Sequence, residues 1–558
     1  MRRFITIFVL TVSLVVPLPA ALAQKTGGGK TGAATATSVI SRRGVEQITA
    51  AQLKDYLYFI ASDEMEGRDT PSRGLDTTAK FIAMNLSRWH FKPAGDDGTF
   101  FQRISLRRDR IDVANTRAEI NGQPFAAGKD FIAFSNPGTA TGPLVYAGHG
   151  WLIKSKGIDA YQGIDVKDKI VVINGSEDIP QGVTFADLSG GRPGVDWADP
   201  LTHAEKGGAK GIIAIASPQV VAGWETLRQR RHERPPITVE KFAKENAPAR
   251  IPRIIVGQSM AAALLAGEKQ TLEAIVAGMV SRQPVPAFEF GPEKKVTFTV
   301  AVKPEQTFTQ NVVAIWEGAD PVLKNEYVAT GAHYDHVGVG TPASNGDSIY
   351  NGADDDGSGT TAVLAMAEAL SHAKERPRRS VLFVWHCGEE KGLWGSKYFT
   401  ENPTVPLDRV VAQLNIDMIG RSKKDGDTNP ANRELSGPNE IYVIGSKMMS
   451  TDLGELSDRV NRTFLNLAYN FRYDDPKDPN RFFFRSDHFN YARKGVPIVF
   501  FFDGVHEDYH RPGDEPQKID YVKMEKVTRT VYQLLWEVTS LPTRPAVDKP
   551  LPQQLRGN

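Results

Sequence analysis

Two histidines and several groups of carboxylates stand in this chain at spacings that suit metal binding better than solvation. His333 and Asp335 lie two residues apart in GAHYDHVG, and Asp354, Asp355 and Asp356 are consecutive in NGADDDGSG. Glu389 and Glu390 are adjacent in WHCGEEKG, Asp417 lies in LNIDMIG, and His510 in EDYHRPGD. Singly, each has an ordinary explanation. Asp, Gly and Ser make solvated turns, a strand-end histidine commonly satisfies its own hydrogen bonds, and paired glutamates usually face water. Asp417 resists that reading, because apolar residues surround it and a buried carboxylate needs a partner or a metal.

Each of these groups but the aspartate triplet, which follows a polar loop, comes after an apolar run that reads as a strand. EYVAT precedes His333, SVLFVWHC precedes Glu389, VVAQLNI precedes Asp417, and VPIVFFF precedes the segment holding His510. GTTAVLAMAEALSHA, just after the aspartates, reads as a helix. Such alternation predicts an α/β fold with a mixed, mostly parallel central sheet flanked by helices. In these sheets functional residues collect past the carboxyl ends of the strands. Imidazole and carboxylate donors without thiolate fit zinc, with cobalt or manganese as alternatives. One catalytic zinc needs three protein groups. More are present, and two Zn2+ ions sharing a carboxylate would use them all.

The rest of the chain sets limits on partners and compartment. Its 558 residues suffice for two or three domains. Sixty-seven Lys and Arg balance 66 Asp and Glu, and no basic stripe with interleaved aromatics argues for nucleic acid. Residues 1–23, MRRFITIFVLTVSLVVPLPAALA, read as a signal peptide, so the expected location is periplasmic or secreted. No later run is apolar over the roughly 20 residues that a membrane span needs. Residues 24–47 read as a flexible linker and 542–558 as a loose Pro-rich tail. Cys387 is the only cysteine, which excludes an intramolecular disulfide. Residues 48–136 begin with amphipathic helices, 137–287 turn to short β-rich runs, and 288–541 carry the strand–helix alternation.

Between residues 331 and 515, GAHYDHVG, NGADDDGSGTTAVLAMAEAL, VLFVWHCGEEKGLWGSKYF, NIDMIG, and SDHFNYARKGVPIVFFF with EDYHRPGD resemble, in order, the co-catalytic di-zinc exopeptidases. That family includes secreted bacterial aminopeptidases and glutamate carboxypeptidase-like proteins. LYFIASDEMEGRDT is similar to the usual start of the catalytic domain. HAEKGGAKGIIAI resembles a protease-associated domain, making 137–287 an insert within the zinc exopeptidase fold. The resemblance implies that His333 and Asp417 bind one zinc, Glu390 and His510 the other, and Asp355 both. Asp335 would hold the other imidazole nitrogen of His333, Glu389 would be the general base, and Tyr509 would stabilise the oxyanion. It also implies a cis peptide bond between Asp355 and Asp356.

The activity so implied is that of a zinc-dependent aminopeptidase, cleaving peptides with a free N-terminus through a metal-bridging hydroxide. A carboxypeptidase or dipeptidase of the same fold is the alternative, with Arg481, Arg485 or Arg493 binding a terminal carboxylate. RFFFRSDHF (481–489) looks more like an aromatic wall for apolar side chains. Glutaminyl cyclisation, the work of related single-zinc enzymes, is disfavoured by the full two-metal set. A non-enzymatic binding protein on the same scaffold should have lost ligands or the base, and here every position is filled.

Overall fold

Thr49 accepts the amide of Gln52, and the Gln52 side chain accepts the amide of Thr49. This capping box starts helix α1 (Ala50–Ile60). The computed structural model describes residues 42–175, 179–184, 187–188, 191–242, 250–283, 285–475, 477–549 and 551. The expected signal peptide and residues 24–41 of the expected linker lie outside these residues. Residues 42–47 are not a free linker: Val45 is buried in the core, and the Tyr532 hydroxyl donates to the Arg43 carbonyl at 2.6 Å. After α1 come helix α2 (Arg73–Arg88), a long strand β1 (Phe101–Ile111), and, after an excursion, β2 (Ile237–Val239), β3 (Val302–Trp316) and β4 (Tyr327–His333). Helix α3 (Gly359–His372), β5 (Ser380–His386), helix α4 (Trp394–Glu401) and β6 (Val410–Ile416) follow. The chain continues through β7 (Glu440–Ile444), helix α5 (Thr451–Thr463), β8 (Ala468–Asn470), helix α6 (His488–Arg493), β9 (Ile498–Phe502) and helix α7 (Tyr521–Ser540).

The strands form one mixed sheet in the order β2-β1-β3-β5-β4-β6-β9-β7-β8, with Lys92–Pro93 also pairing to β3. Parallel pairing is concentrated in the four central strands, β5-β4-β6-β9. Pairing is antiparallel from β2 through β5 and again at β9–β7. After β4 the chain passes to β5 on one side and then returns to β6 on the other. That reversal opens a crevice at the carboxyl ends of these strands.

Strand β5 shows why the sequence builds three layers. All seven of its residues are buried, and successive side chains point to opposite faces. Phe383 and Trp385 join one core with Leu57 of α1, Ile82 of α2, Met366 of α3 and Leu535 of α7. Leu382 and Val384 join another with Phe399 of α4 and Tyr491 of α6. A strand covered on both faces has no use for polar alternation, hence its continuous apolar run. Cys387, just past it, is buried and unpaired.

Besides a short three-stranded sheet of Leu152–Ile153, Ile158–Asp159 and Trp197–Ala198, the excursion between β1 and β3 forms two sheets of more strands. One has six strands, in the order Phe288–Glu289, Leu144–Tyr146, Ile170–Gly175, Gly211–Ala216, Arg253–Val256, Phe131–Ala133. The other has four, in which Val296–Val300 lies between Arg117–Ile120 and Gly138–Gly142. These pairs reach beyond residues 137–287 at both ends. Pairing between segments over a hundred residues apart sets the limits, and local composition does not report it. At the other end, residues 542–549 do not trail loosely as expected. Asp548 accepts the Thr451 amide at 2.9 Å at the start of α5, where helix amides lack partners. The Lys549 amide donates to the Met449 carbonyl at 3.1 Å. Among the described residues no helix is long and apolar enough to cross a membrane.

His488 opens α6 and ties it to β9. Its ring stacks on Phe500 at 4.4 Å, and Nε2 donates to the Phe483 carbonyl at 2.8 Å. Burial pushes its pKa down to about 3. An unfolded histidine takes up its proton near 6.5. Between those values the unfolded chain binds more protons, so stability falls as pH falls through that window. The loss from this group is about 2 kcal/mol between pH 6.5 and 5. Urea midpoints at pH 7 and pH 5 should therefore converge for His488→Gln relative to the parent. Equal pH slopes in the two proteins would remove this assignment.

Candidate metal centre

The ends of the four central strands deliver the chemistry. His333 is the last residue of β4, Glu389 and Glu390 follow β5 by three and four residues, and Asp417 directly follows β6. The segment after β9 brings Tyr509 and His510. Asp355 comes from the turn that leads into α3.

Two donor clusters result. His333, Asp355 and Asp417 form one, and His336, Asp355, Glu390 and His510 form the other. Asp355 belongs to both, and its two oxygens divide between them. Oδ1 lies 3.3 Å from His333 Nε2, while Oδ2 lies 3.1 Å from His510 Nε2. His333 Nε2 is 3.7 Å from Asp417 Oδ1, and His510 Nε2 is 3.1 Å from Glu390 Oε2. Donors about 2.0–2.1 Å from one tetrahedral zinc would be separated by about 3.3 Å. The observed spacings match that figure. His510 Nε2, Glu390 Oε1 and both His336 ring nitrogens are buried atoms without hydrogen bonds. The residues therefore fit two ions sharing Asp355. His336 lay within the GAHYDHVG stretch but was not among the expected ligands.

The three aspartates do different work. Asp356 accepts the amides of His333, Gly359 and Met418, which ties β4, α3 and the end of β6 together. Asp354 accepts the Gly420 amide, and its other oxygen lies 3.3 Å from His506 Nε2. Only Asp355 turns into the site. The Asp355–Asp356 peptide bond is cis, as the resemblance implied. Gly359 is required beside it, since a Cβ there would stand 2.3 Å from Asp356 Oδ1. Two further residues, inside the matching stretches LYFIASDEMEGRDT and EDYHRPGD but given no role by the sequence, hold this turn. Asp514 accepts the amides of Asp354 and Asp355 at 3.0 and 3.1 Å. The buried Arg68 guanidinium donates to the carbonyls of Ile60, Tyr334, Asn351 and Gly352.

Asp335 supports the site differently from expectation. The hydrogen-bond partner of His333 Nδ1 is its backbone carbonyl, at 3.1 Å. Its carboxylate is 3.7 Å from that nitrogen and accepts the Glu389 amide at 3.1 Å. The side chain thus orients the loop carrying Glu389 while the main chain sets the His333 ring.

Electrostatics sort the carboxylates. Burial would raise Asp355, but His336, His333 and His510 hold it well below the usual carboxylate range. Burial and Asp355 would raise Glu390, yet His336 and His510 bring it down to about 2. Burial lowers the His510 imidazole, and Asp355 and Glu390 override it, pushing it up to about 10. Glu389 goes the other way. Burial first, then the charges of Asp417, Glu390 and Asp487, raise it well above the ordinary value against the pull of His333. The two adjacent glutamates are chemically unequal: Glu390 is tied to histidines as an anion, and Glu389 is primed to hold a proton.

Glu389 borders a cavity with His333, Asp355, Asp417 and Tyr509, walled by Met418, Phe482, Phe500, Phe502 and Val505. Tyr509 stacks on His510 at 4.0 Å and its hydroxyl accepts from Arg485 at 3.3 Å. Of the three arginines considered for a terminal carboxylate, Arg485 lines this cavity. Arg481 and Arg493 lie over the rings of Phe484 and Phe489.

Residues 311–535 match the family profile described as Peptidase family M28. Leupeptin-inactivating enzyme 1 of Streptomyces exfoliatus is 30% identical over 220 residues, covering 38% of this chain and 41% of that one. Leucine aminopeptidase 2 of Arthroderma otae is 27% identical over 282 residues, covering 46% and 50%. The chain thus spans half or less of the length of these curated relatives. An aminopeptidase structure from Aneurinibacillus sp. strain AM-1 aligns over 91% of this chain and 97% of its own, at 16% identity and a TM-score of 0.48.

Proposed function

We propose that this chain, whose residues 311–535 match the profile of peptidase family M28, is an exported di-zinc aminopeptidase of that family acting on peptides with a free N-terminus. One observation carries the reading: Asp355 offers an oxygen to each donor cluster, while Glu389 borders the same cavity and belongs to neither. Bound zinc would supply Lewis acidity, polarising the scissile carbonyl and acidifying water. His333, Asp355 and Asp417 would hold one ion; Asp355, Glu390 and His510 the other.

The protein's own groups do the rest. Glu389 takes the proton of the attacking water and returns it to the leaving amine. Burial keeps Tyr509 a phenol, and its hydroxyl stabilises the carbonyl oxygen as that oxygen gains charge. Phe482, Phe500, Phe502, Met418 and Val505 receive an apolar side chain of the N-terminal residue. Ionised carboxylates at the same strand ends attract the substrate's ammonium. The signal-peptide reading of residues 1–23 supports export.

A second reading draws on Arg485, whose guanidinium on the cavity suits the terminal carboxylate of a carboxypeptidase substrate. The two readings separate on a panel of leucyl- and phenylalanyl-anilides and their N-acetylated copies. The free amines should be cleaved with kcat/KM roughly 10- to 100-fold higher, the worth of one charged hydrogen bond. A chelator should abolish the activity and zinc should restore it. Preference for acetylated peptides, trimmed from the C-terminus, would replace the aminopeptidase reading with the carboxypeptidase one.

A further inference from the structure

We propose that His336 is a direct metal ligand through Nδ1, so that one ion is held by four protein groups and the other by three. This rests on the di-zinc reading above and goes beyond it, since His333, Asp355, Glu390, Asp417 and His510 already complete that set.

The geometry around His336 is not that of a structural histidine. The side chain is fully buried, and neither ring nitrogen makes a hydrogen bond. A buried polar atom left unpaired costs about 1–3 kcal/mol, and this ring carries two. Nδ1 lies 2.8 Å from Glu390 Oε1, yet neither atom has a hydrogen-bond partner. It also stands 3.8 Å from Asp355 Oδ2. Donors that crowd together without bonding one another are what ligands of a common cation look like. His333, in contrast, spends Nδ1 on a backbone carbonyl and turns Nε2 to the metal side.

The ring is also held in place. The His336 amide donates to the Arg68 carbonyl at 3.2 Å. Its Cγ lies against Gly352, where a Cβ would come within 2.4 Å. It meets the His510 ring edge-on, with centroids 5.5 Å apart. Glu390 is then embraced by a histidine on each oxygen: His336 near Oε1 and His510 near Oε2.

The two ions become inequivalent as a result. Four protein donors make a closed site of the kind that retains zinc, whereas three leave a position open. The His336 side is the tightly held one, and the His333–Asp417 side is the one that exchanges and meets substrate.

Zinc titration of the apo protein against a competing chelator tests this. The parent should bind two zinc ions with distinct affinities. His336→Phe, which keeps a ring of similar bulk, should weaken the tighter site by at least about 100-fold, the upper limit for loss of a mere supporting group. The weaker site should persist. Should the variant fold poorly, the parent alone decides: a zinc-loaded crystal structure should place Nδ1 about 2.0–2.1 Å from one ion. Two unchanged affinities in a folded variant, or a ring nitrogen beyond bonding reach, would overturn the assignment while leaving the peptidase reading intact. Failure to cleave any free aminoacyl-anilide would sink that reading without touching the metal result.

Discussion

Glu389→Gln should lower kcat by about 10³-fold, within the range for loss of a general base, while both zinc ions stay bound. Glutamine preserves the shape and the contact of the loop, because the residue is anchored through its main chain to Asp335 Oδ1. What it removes is the ability to accept a proton. Glu389 Oε2 is 3.9 Å from His333 Nε2, near the centre but outside both donor clusters. KM should change little, since the lost interaction develops only as the water is deprotonated. Glu390→Gln is the informative contrast. Its oxygens lie beside His336 and His510, so that substitution should cost metal as well as rate. Metal content by elemental analysis, read with steady-state kinetics, separates the two. A Glu389→Gln protein with near-parental kcat would exclude the residue as base.

The largest loss of stability is expected at Arg68. Its guanidinium is buried and donates four hydrogen bonds, at 2.7–3.0 Å, to the carbonyls of Ile60, Tyr334, Asn351 and Gly352. Burial brings its pKa down to about 10, and Asp335, Asp514, Asp355 and Asp356 oppose the shift, so the group remains a cation. Arg68→Met removes a charge that balances several buried carboxylates and strands four acceptors. At about 1–3 kcal/mol for each unsatisfied group, the penalty exceeds about 4 kcal/mol. A domain holds only about 5–15 kcal/mol in total. Arg68→Lys should recover part of this, because an ammonium donates but cannot fork across four carbonyls. Urea midpoints measured with a chelator present report the effect apart from metal binding. A loss below about 1 kcal/mol for Arg68→Met would show that the turn holds itself.

Much of this was legible in residues alone, for a local reason. Apolar runs such as SVLFVWHC and VVAQLNI declare buried strands, because a strand covered on both faces cannot carry alternating polar residues. Polar residues that end such runs must lie at a sheet edge. His333, Glu389, Glu390 and Asp417 could therefore be placed together before any coordinate was known, and Asp355 singled out by resemblance. The wider limits of the inserted body were not legible, because Phe131–Ala133 finds its partner at Arg253–Val256, far along the chain.

The sequence by itself determined which donors this protein owns and that a sheet edge would gather them. The tertiary structure alone decided how they divide. It turned one aspartate of three into the site by giving Asp354 and Asp356 to backbone amides. It set His336 against Glu390, and reached back 283 residues to hold the turn with Arg68. Which side chain meets which depends on loops closing over long separations, where spacing in the chain carries no distance in space.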